Sequence, residues 1–405
     1  MMKIRDELYV KKRLYVAWWK SILFYINRVF PIKKNKIVIC TIEGTTGYMC
    51  NPKYIVEEII NRGLDYDMVW LVNDTKKIFP QTIRVKKNTL WNRAHELSTA
   101  KIWIDNSRKQ HEARKRRAQM YIQTWHGKVG FKPTGLDRGK SFSKIAYLVS
   151  KHDSEMIDLF LTNSAWFEKK LSCGMLYDGN YLRTGSPRCD ILLRGRGKAK
   201  KRLKTITQKR EDTRFLLYAP TFQGGNQSRE RRIQVNERFP DFNLLIDEMH
   251  EKFGHRWYVL LRLHPQLVAR NLGKNSFDDY SCDSRIIDIS QMDDVYEILA
   301  GCDALITDYS SIAFDAAVMR IPIFLFAPDY RQYEQERGSL YWKMEDLPFP
   351  FSQTDRELHG CIQRFDPEKY FKGLEKLFLD TEIFEDGKAS KRVVDFLERR
   401  IANDQ

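Results

Sequence analysis

Features that would assign the chain to several large protein classes are missing from it. No run of about 18 uncharged apolar residues occurs in the sequence, so we expect no ordinary transmembrane helix. The 7 cysteines include no CxxC pair, so they form neither a zinc-ligand pattern nor a disulfide framework, and they indicate a reducing cytoplasm. Walker A, G-x-G-x-x-G and H-E-x-x-H motifs are also missing, which excludes the usual phosphate-loop, dinucleotide and zinc-protease signatures. We therefore expect no cofactor and no metal site, and the sequence leaves open whether a metal ion assists.

Positive charge is the first feature that the chain does have. It carries 69 Lys and Arg residues against 53 Asp and Glu residues, a net charge of +16, which indicates anionic partners such as phosphorylated substrates, acidic lipids or nucleic acid. Residues 1–36 hold ten basic residues and only two acidic ones. Aromatic residues, among them Trp18, Trp19 and Tyr25, are interleaved with these charges. We therefore predict that residues 1–35 form a basic amphipathic helix on the membrane surface; the alternative is a helix packed on the protein's own surface.

The rest of the chain alternates short β-branched runs with helical patterns, which is typical of parallel sheets covered by helices. Strands are predicted at 36–41, 68–72, 102–105, 120–124, 159–162, 215–219, 257–261, 285–288, 304–306 and 321–325. We therefore predict an α/β protein with two Rossmann-like domains that face a central cleft. The predicted segments are a membrane-associating segment at 1–35, an N-terminal acceptor-side domain at 36–200, a C-terminal nucleotide-donor domain at 201–385 and a C-terminal helix at 386–405.

A histidine follows one of the predicted strands of the N-terminal domain. It lies in the run Thr124-Trp125-His126-Gly127-Lys128. Parallel sheets bind ligands at the carboxyl ends of their strands, and an imidazole placed there can act as a general base near pH 7. Gly127 would let a ligand approach the backbone. A lone histidine in this position could also be a satisfied structural residue.

Polar residues also follow the predicted strands of the C-terminal domain. They are Pro220 and Thr221 after 215–219, Arg262 and His264 after 257–261, and Ser310, Ser311 and, one turn later, Asp315 after 304–306. Unpaired N–H groups at the start of a helix favour a phosphate, so we expect the serine pair to contact one, and Asp315 to hold a ribose or polyol hydroxyl. Taken singly, each residue could be a helix cap or a turn residue. Their coincidence at successive strand ends favours a shared site.

The chemistry that these residues fit is transfer of a phosphoryl-type group from a nucleotide diphosphate. Arg262, His264 and the amides of the serine pair would neutralise the charge that accumulates as a nucleotide monophosphate leaves. His126, on the opposite domain, would remove the proton from the attacking hydroxyl. Arg188, in the turn Gly185-Ser186-Pro187-Arg188, would suit bidentate binding of a phosphate, although it is a weak signal alone. This hypothesis requires the two histidines to face one another across the cleft.

The complete set of motifs resembles the CDP-glycerol glycerophosphotransferase family, which contains teichoic acid primases and polymerases. The matching segments, in family order, are Thr124-Trp125-His126-Gly127, Gly185-Ser186-Pro187-Arg188, Tyr218-Ala219-Pro220-Thr221, Arg262-Leu263-His264-Pro265, Ile306-Thr307-Asp308-Tyr309-Ser310-Ser311, Phe314-Asp315, Pro322-Ile323, Asp329, Tyr333 and Arg337-Gly338. Each segment is short, but the combination is specific.

The resemblance implies a GT-B-like fold and peripheral attachment to the cytoplasmic face of the bacterial cell membrane. It implies that glycerol phosphate or ribitol phosphate passes from a CDP-linked donor to a hydroxyl of a lipid-linked or growing teichoic-acid or capsule-type polymer, with release of CMP. His126 would be the catalytic base, and His264 would stabilise the departing phosphate. Substrate contacts would come from Trp125, Gly127, Lys128, Arg188, Pro220, Thr221, Arg262, Ser310, Ser311, Asp315 and Asp329.

The residues that follow the His-Gly pair depart from the family pattern. The family usually has Thr-Pro and a leucine before the lysine, whereas this chain has Lys128-Val129-Gly130-Phe131-Lys132. Cys189 also stands where asparagine is typical. The first departure changes the loop nearest the acceptor or the polyol of the donor. The choice between glycerol and ribitol therefore stays open, as does a homo-oligomeric state.

Two other functions fit part of the sequence. A GT-B glycosyltransferase that uses a nucleotide sugar would share the fold, but the run from Thr307 to Ser311 followed by Phe314-Asp315 argues against it. A nucleic-acid-binding protein would use the positive charge, but no helix-turn-helix, RRM or zinc-finger pattern supports it. The basic cluster that such a protein could use is also consistent with a solvated face or with a patch that meets membrane or polymer phosphate; it consists of Arg108, Lys109, Arg114, Lys115, Arg116 and Arg117.

Overall fold

The chain folds into two units. The computed structural model describes residues 2–209, 212–221, 223–224, 233–234, 239–263, 283–337 and 339–402. Unit 1 contains Met1–Lys128, Thr134–Asp190 and Ile383–Gln405, and unit 2 contains Val129–Pro133 and Ile191–Glu382. The chain therefore passes from one unit to the other four times.

Unit 1 is built on a parallel sheet of seven strands in the order β3-β2-β1-β4-β5-β6-β7. The strands are β1 (Lys33–Cys40), β2 (Asp67–Val72), β3 (Arg84–Lys87), β4 (Ala100–Asp105), β5 (Met120–Gln123), β6 (Leu159–Thr162) and β7 (Tyr181–Arg183). Successive side chains of a strand point to opposite faces of the sheet. Accordingly Val38 and Trp103 belong to one buried apolar cluster, while Ile37 and Ile102 belong to another.

Helices cover this sheet, as a parallel sheet requires. They are α1 (Met2–Ile26), α2 (Cys50–Asn61), Leu90–Thr99, Lys144–Met156, Ala165–Gly174 and Ala389–Ala402, with short 3-10 segments at Asn27–Val29, Ile42–Gly44, Gly135–Ser141 and Pro187–Cys189. Thr89, Ser143 and Ser164 each precede a helix and accept a hydrogen bond from a first-turn amide. Such caps satisfy amides that have no partner inside the helix, and they fix where these helices begin.

Unit 2 contains a second parallel sheet, of six strands in the order β12-β11-β8-β13-β14-β15. The strands are β8 (Thr213–Tyr218), β11 (Arg256–Leu261), β12 (Ile286–Asp288), β13 (Ala304–Thr307), β14 (Ile323–Phe326) and β15 (Phe351–Ser352), with a separate antiparallel pair of β9 (Gln223–Gly224) and β10 (Ile233–Gln234). The predicted α/β class with two parallel sheets is therefore confirmed.

The helices of unit 2 are mostly short. They are Arg196–Thr207, Phe242–Phe253, Val295–Leu299, Ile312–Ala317, Tyr330–Arg337, Asp355–Gln363 and Pro367–Thr381, with a 3-10 segment at Met344–Asp346; the helix Asp190–Arg194 spans the change of unit. Asp241, Thr354 and Asp366 cap three of them through their side chains. These caps explain why the helices begin directly after polar turn residues.

Helix α1 is amphipathic. Ala17 and Phe24 are buried, and the carbonyl oxygen of Phe24 accepts a hydrogen bond from Ser98 Oγ at 3.2 Å. Tyr15, Trp18 and Trp19 are exposed. Among the described residues we find no helix with an apolar stretch long enough to cross a membrane.

The C-terminal helix belongs to unit 1. Val393, Val394 and Leu397 lie in the buried cluster that contains Ile37 and Ile102. The start of the helix is fixed by the Asp190 carboxylate, which accepts hydrogen bonds from the backbone N atoms of Ala389 and Ser390 at 2.9 and 2.7 Å. The helix in the segment predicted at 386–405 therefore packs in the core of unit 1, which the chain re-enters at Ile383.

Candidate active site

Polar groups gather at the carboxyl ends of β1 and β4, where the strand order of unit 1 reverses. Open α/β sheets bind their ligands outside such a point. The loops after these two strands are tied together: Asn106 Oδ1 accepts a hydrogen bond from Ile42 N at 2.8 Å, and Ser107 Oγ accepts one from Glu43 N at 3.0 Å. The neighbouring strand β5 leads directly into the turn that carries His126.

Side-chain hydrogen bonds hold the turn that carries His126. Trp125 has a φ of 52°, a left-handed conformation that costs a non-glycine residue about 1–3 kcal/mol. Gln123 Oε1 accepts a hydrogen bond from Trp125 N at 2.9 Å, and Asn51 Nδ2 donates one to Trp125 O at 2.8 Å. An unfavourable backbone conformation is thus fixed by buried partners beside a polar edge of the sheet.

The hydrogen bond made by His126 decides which ring nitrogen carries the proton. The residue is exposed, and its Nδ1 lies 2.6 Å from the carbonyl oxygen of Asn106. A carbonyl oxygen can only accept, so Nδ1 is the protonated nitrogen and Nε2 keeps its lone pair. The surrounding protein desolvates the imidazole and lowers the pKa of His126 to about 4, and the Arg188 and Arg108 cations act in the same direction. Water reaches the exposed ring and reduces this desolvation, and the hydrogen bond to Asn106 opposes the shift. A pKa below the ordinary value of about 6.5 leaves the imidazole neutral at pH 7.

Arg188 is buried against the same turn. Its Nη1 donates to the carbonyl oxygen of His126 at 2.5 Å and lies 3.5 Å from Cys50 Sγ. Its backbone N donates to Asn51 Oδ1 at 3.1 Å. Arg188 therefore positions the backbone of His126. Its contact with a donor phosphate remains a prediction.

Lys128 and Gly127 complete the loop after His126 in unit 1. Lys128 is buried, and its Nζ donates to the carbonyl oxygen of Gly185 at 2.8 Å. The carboxylate of Glu385 accepts hydrogen bonds from Ser186 N at 2.9 and 3.0 Å. Burial raises the pKa of Glu385 to about 7, and the charge of Lys128 opposes this shift. Lys128 thus has a positioning role, and the predicted substrate contacts of both loop residues remain predictions.

The next residues of the loop, 129–133, belong to unit 2. A Cβ atom placed on Gly130 would lie 3.2 Å from Ser311 Cβ, so glycine permits a tight approach to one of the predicted phosphate contacts. Phe131 is buried with its ring centroid 4.9 Å from that of Phe314, and its carbonyl oxygen accepts a hydrogen bond from Tyr341 N at 2.8 Å. Gly130 and Phe131, which depart from the family pattern, therefore pack against Ser311 and Phe314 of unit 2.

Asp308 organises the end of β8. Its buried carboxylate accepts hydrogen bonds from Thr221 N at 3.0 and 2.8 Å and from Thr221 Oγ1 at 2.8 Å. Burial raises the pKa of Asp308, and the charge of Lys132 and the Thr221 hydrogen bonds oppose this shift. Pro220 and Thr221, both half-buried, are thus held beside the end of β13.

Ser310 and Ser311 precede the helix Ile312–Ala317 and are both partly exposed. The helix has only 6 residues, so its macrodipole is weak and any phosphate contact depends on individual N–H and hydroxyl groups. Ser310 Oγ accepts a hydrogen bond from Ile312 N at 3.4 Å. Asp315 is buried, and its Oδ2 accepts a hydrogen bond from Tyr296 OH at 2.5 Å.

Arg262 donates to backbone carbonyl groups inside unit 2. Its Nη1 donates to Ser290 O at 2.6 Å and Ile289 O at 3.3 Å, and its Nη2 donates to Asp293 O at 3.3 Å. Burial lowers the pKa of Arg262, although a guanidinium remains charged at neutral pH. Arg262 therefore ties the segment 289–293 to the end of β11.

Asp329 and His264 complete the predicted set. Asp329 Oδ1 accepts a hydrogen bond from Tyr309 OH at 3.1 Å, and the Tyr309 ring stacks on Tyr333 with centroids 4.1 Å apart. His264 lies outside the described residues, so the predicted pairing of the two histidines stays a prediction. No group of three or more His, Cys, Asp and Glu residues suited to hold a metal ion occurs in the part of the chain that the structure describes.

In unit 1 the structure brings three of the predicted residues together. Arg188 lies against the turn formed by Trp125 and His126 and donates to the carbonyl oxygen of His126. Two residues that hold this turn from other elements escaped the sequence analysis: Asn106, which fixes the tautomer of His126, and Asn51, which holds Trp125. Asn106 directly follows a predicted strand and could have been found by the strand-end rule, whereas nothing in the sequence singles out Asn51.

Comparison with known families shows which family the chain belongs to. Residues 22–399 match the family described as CDP-glycerol:poly(glycerophosphate) glycerophosphotransferase. The chain belongs to this family. The resemblance drawn from the motifs is therefore confirmed, and it extends well beyond the motifs themselves.

Two teichoic acid polymerases are similar to this chain along most of its length. The teichoic acid poly(glycerol phosphate) polymerase of Bacillus subtilis is 26% identical over 383 residues, which cover 91% of this chain and 49% of that protein. The teichoic acid poly(ribitol-phosphate) polymerase of Bacillus spizizenii is 28% identical over 382 residues, which cover 91% of this chain and 57% of that protein. The chain thus spans about half the length of these two relatives.

A solved structure of the wall teichoic acid polymerase TagF is also similar. It superimposes with a TM-score of 0.79 at 24% sequence identity and covers 99% of this chain and 98% of that chain. At this identity the similarity shows the fold alone. It confirms the predicted GT-B-like fold class for this glycerophosphotransferase-family chain.

Proposed function

We propose that the chain transfers glycerol phosphate or ribitol phosphate from a CDP-linked donor to a hydroxyl of a lipid-linked or growing teichoic-acid-type or capsule-type polymer, and releases CMP. Family membership and the two polymerases among its relatives support this reaction class. One observation in the structure carries the proposal. His126 presents an exposed imidazole whose Nδ1–H is bonded to a carbonyl oxygen, so that Nε2 can accept a proton.

In the proposed reaction the acceptor hydroxyl attacks the phosphorus atom that carries the polyol. A new P–O bond forms, the bond between this phosphorus and the bridging oxygen breaks, and CMP leaves with that oxygen. His126 Nε2 takes the proton of the hydroxyl. The carbonyl oxygen of Asn106 continues to accept from Nδ1 and stabilises the imidazolium, while the nearby Arg188 and Arg108 cations favour its later release of the proton.

We assign the donor to unit 2. The hydroxyls of Ser310 and Ser311, two partly exposed residues at the end of β13, could donate hydrogen bonds to pyrophosphate oxygens. The hydroxyl of Thr221 already donates to Asp308, so Thr221 would contribute at the end of β8 by position rather than as a donor. The remaining predicted donor contacts are Pro220, Arg262, Asp315 and Asp329, with His264 stabilising the departing phosphate. Buried Arg262 would act by positioning its loop, and the role of His264 is supported by the motif resemblance alone.

Measurement of CMP release tests the proposed reaction. The purified chain is incubated with CDP-glycerol or CDP-ribitol and a lipid-linked acceptor, and the products are identified by mass spectrometry. We expect CMP and an acceptor that is heavier by one or more polyol-phosphate units. Transfer from UDP-sugars without turnover of either CDP donor would instead identify a glycosyltransferase, and a salt-dependent complex with DNA without CMP release would favour a nucleic-acid binder.

The pH profile should show that the base is neutral well below pH 7. A histidine of ordinary pKa, about 6.5, would lose activity as the pH falls through that value. The lowered pKa of His126, about 4, keeps the imidazole neutral to lower pH, so activity should be lost only as the pH falls further. We expect the acid limb of kcat/KM for CMP release to lie below about pH 5.5. An acid limb at about pH 6.5 or above, with the fold intact, would contradict a lowered pKa of the His126 imidazole.

We further propose that α1 attaches the chain to the cytoplasmic face of an anionic membrane. Trp18 is 55% exposed and Trp19 is 52% exposed, while the opposite face of the helix is buried in unit 1. Indole rings favour the headgroup region of a bilayer, and the basic residues interleaved with them attract anionic lipid. Exposed aromatic rings on a packed helix therefore support an in-plane anchor.

Replacing Trp18 and Trp19 together by serine should weaken binding to vesicles that contain phosphatidylglycerol by about tenfold or more, because two indoles no longer enter the interface. Substitution is preferable to deletion, because buried Phe24 of the same helix supports the core of unit 1. Trp91→Ser provides a matched control, since Trp91 is 54% exposed on another helix. Vesicle sedimentation measures the effect; equal binding of the double variant and the control would rule out this anchor.

A further inference from the structure

Arg108 lies beside the turn that carries Trp125 and His126, although it is absent from the family motifs. It follows β4, and its Cζ lies 5.4 Å from the centroid of the Trp125 ring, which in turn lies 4.7 Å from the centroid of the His126 ring. The side chain is partly buried. Its Nη2 atom is buried without a hydrogen-bond partner among the described residues. The guanidinium is therefore held next to the proposed base with donor capacity to spare.

The charges around Arg108 leave it incompletely compensated. Desolvation lowers the pKa of Arg108; Asp153 opposes this shift, and the cation of Arg138 adds to it. Asp153 already accepts hydrogen bonds from Lys109 N at 2.9 Å and Tyr121 OH at 3.1 Å. Burial also raises the pKa of Asp153 to about 7, so its negative charge is only partial at neutral pH. The carboxyl group of Asp153 therefore compensates the charge of Arg108 only in part.

A buried N–H donor without a partner destabilises the protein unless a ligand supplies an acceptor. Guanidinium groups match the geometry of phosphate oxygens, and an aromatic face such as that of Trp125 holds the guanidinium plane in place. Arg108 therefore has the properties of a phosphate contact: a fixed orientation, an unused donor and a positive charge that is only partly compensated.

We propose that Arg108 binds a phosphate oxygen of the acceptor, so that the preferred acceptor already carries a phosphodiester next to the hydroxyl that His126 deprotonates. This inference rests on the proposed function, because it assigns the hydroxyl that reaches His126 to the acceptor. Only the Trp125 ring separates Arg108 from His126. We therefore assign the phosphate at Arg108 to the same acceptor molecule as the hydroxyl at His126. The chain accordingly extends an existing polyol-phosphate end rather than adding the first unit to a neutral sugar.

Two soluble acceptors with the same terminal glycerol test this contact. In one acceptor the glycerol is linked through a phosphodiester, and in the other through a neutral ether. We expect the unaltered chain to use the phosphodiester acceptor with at least about tenfold higher kcat/KM, the usual effect of a charge-assisted hydrogen bond. Arg108→Gln should remove this preference by raising the KM for the charged acceptor alone. Arg108→Lys retains the positive charge but not the paired N–H donors of the guanidinium, so it should keep part of the preference for the phosphodiester acceptor.

Arg84→Gln serves as the control, because Arg84 is an exposed cation of unit 1 that already pairs with Asp67. An equal loss with both acceptors in Arg108→Gln, or a rise in the KM for the CDP donor, would overturn the proposal and assign Arg108 to support of the Trp125 turn. Equilibrium binding of the two acceptors, measured by calorimetry, tests the contact without catalysis. A chain that releases no CMP but still binds the phosphodiester acceptor through Arg108 would contradict the proposed function while leaving this contact intact.

Discussion

His126→Ala should lower kcat for CMP release by roughly 10²–10⁴-fold, the usual contribution of a general base. The alanine variant loses both the lone pair of Nε2 and the hydrogen bond from Nδ1 to the carbonyl oxygen of Asn106. Because His126 is exposed, the loss of ring packing should be small, and the melting temperature should change little. Single-turnover release of CMP from CDP-glycerol, followed by chromatography, measures the effect together with thermal unfolding.

Two variants separate loss of the base from loss of the hydrogen bond. His126→Asn keeps an N–H group that can donate to Asn106 O but has no base, so it should be as inactive as the alanine variant. His250→Ala is the matched control, because His250 Nδ1 lies 2.6 Å from the carbonyl oxygen of His255 and the residue is likewise exposed. Near-normal turnover in His126→Asn would show that the imidazole is not the base.

Arg188→Leu should lower kcat for CMP release by about tenfold or more while leaving the KM for the CDP donor nearly unchanged. The side chain donates to the carbonyl oxygen of His126, so its removal takes this donor from that oxygen and loosens the backbone that carries the base. Loss of such a hydrogen bond costs about 1–3 kcal/mol of folding free energy. Steady-state kinetics with varied donor concentration, alongside chemical denaturation, measure both effects.

The same variant distinguishes two roles for Arg188. A direct phosphate contact, as the turn Gly185-Ser186-Pro187-Arg188 suggested, would raise the donor KM strongly when Arg188 is replaced. A positioning role acts through His126, so Arg188→Lys should recover part of kcat by restoring one donor to the carbonyl group. A large rise in donor KM with normal kcat would show that Arg188 touches the donor.

The fold was predictable where the sequence pattern reflects burial. The strand predicted at 68–72 is β2 (Asp67–Val72), and the strand predicted at 102–105 lies within β4, because both are buried on two faces and consist of apolar runs. Strand β3 (Arg84–Lys87) was missed. It lies at the edge of the sheet and is mostly exposed, so it carries basic residues, which protect an edge but do not resemble a strand.

The candidate site was predictable to the level of strand ends. His126 follows β5, and its neighbours in the sequence suggested a base, because the carboxyl ends of parallel strands meet at one edge. The orientation of the imidazole depends on Asn106, which belongs to another loop, and the backbone of the turn depends on Arg188 and Asn51. These contacts join residues far apart in the chain, and a single sequence contains no signal for them.

The assignment of the helix Ala389–Ala402 to unit 1 has a consequence for the order of folding during synthesis. Val393, Val394 and Leu397 complete one face of a sheet whose first strand begins at Lys33. The amino-terminal core therefore stays open on the ribosome until the whole of unit 2 has been translated. A nascent chain that stalls before residue 389 would expose apolar surface from its earliest-made sheet, and such surface is a substrate for chaperones and proteases.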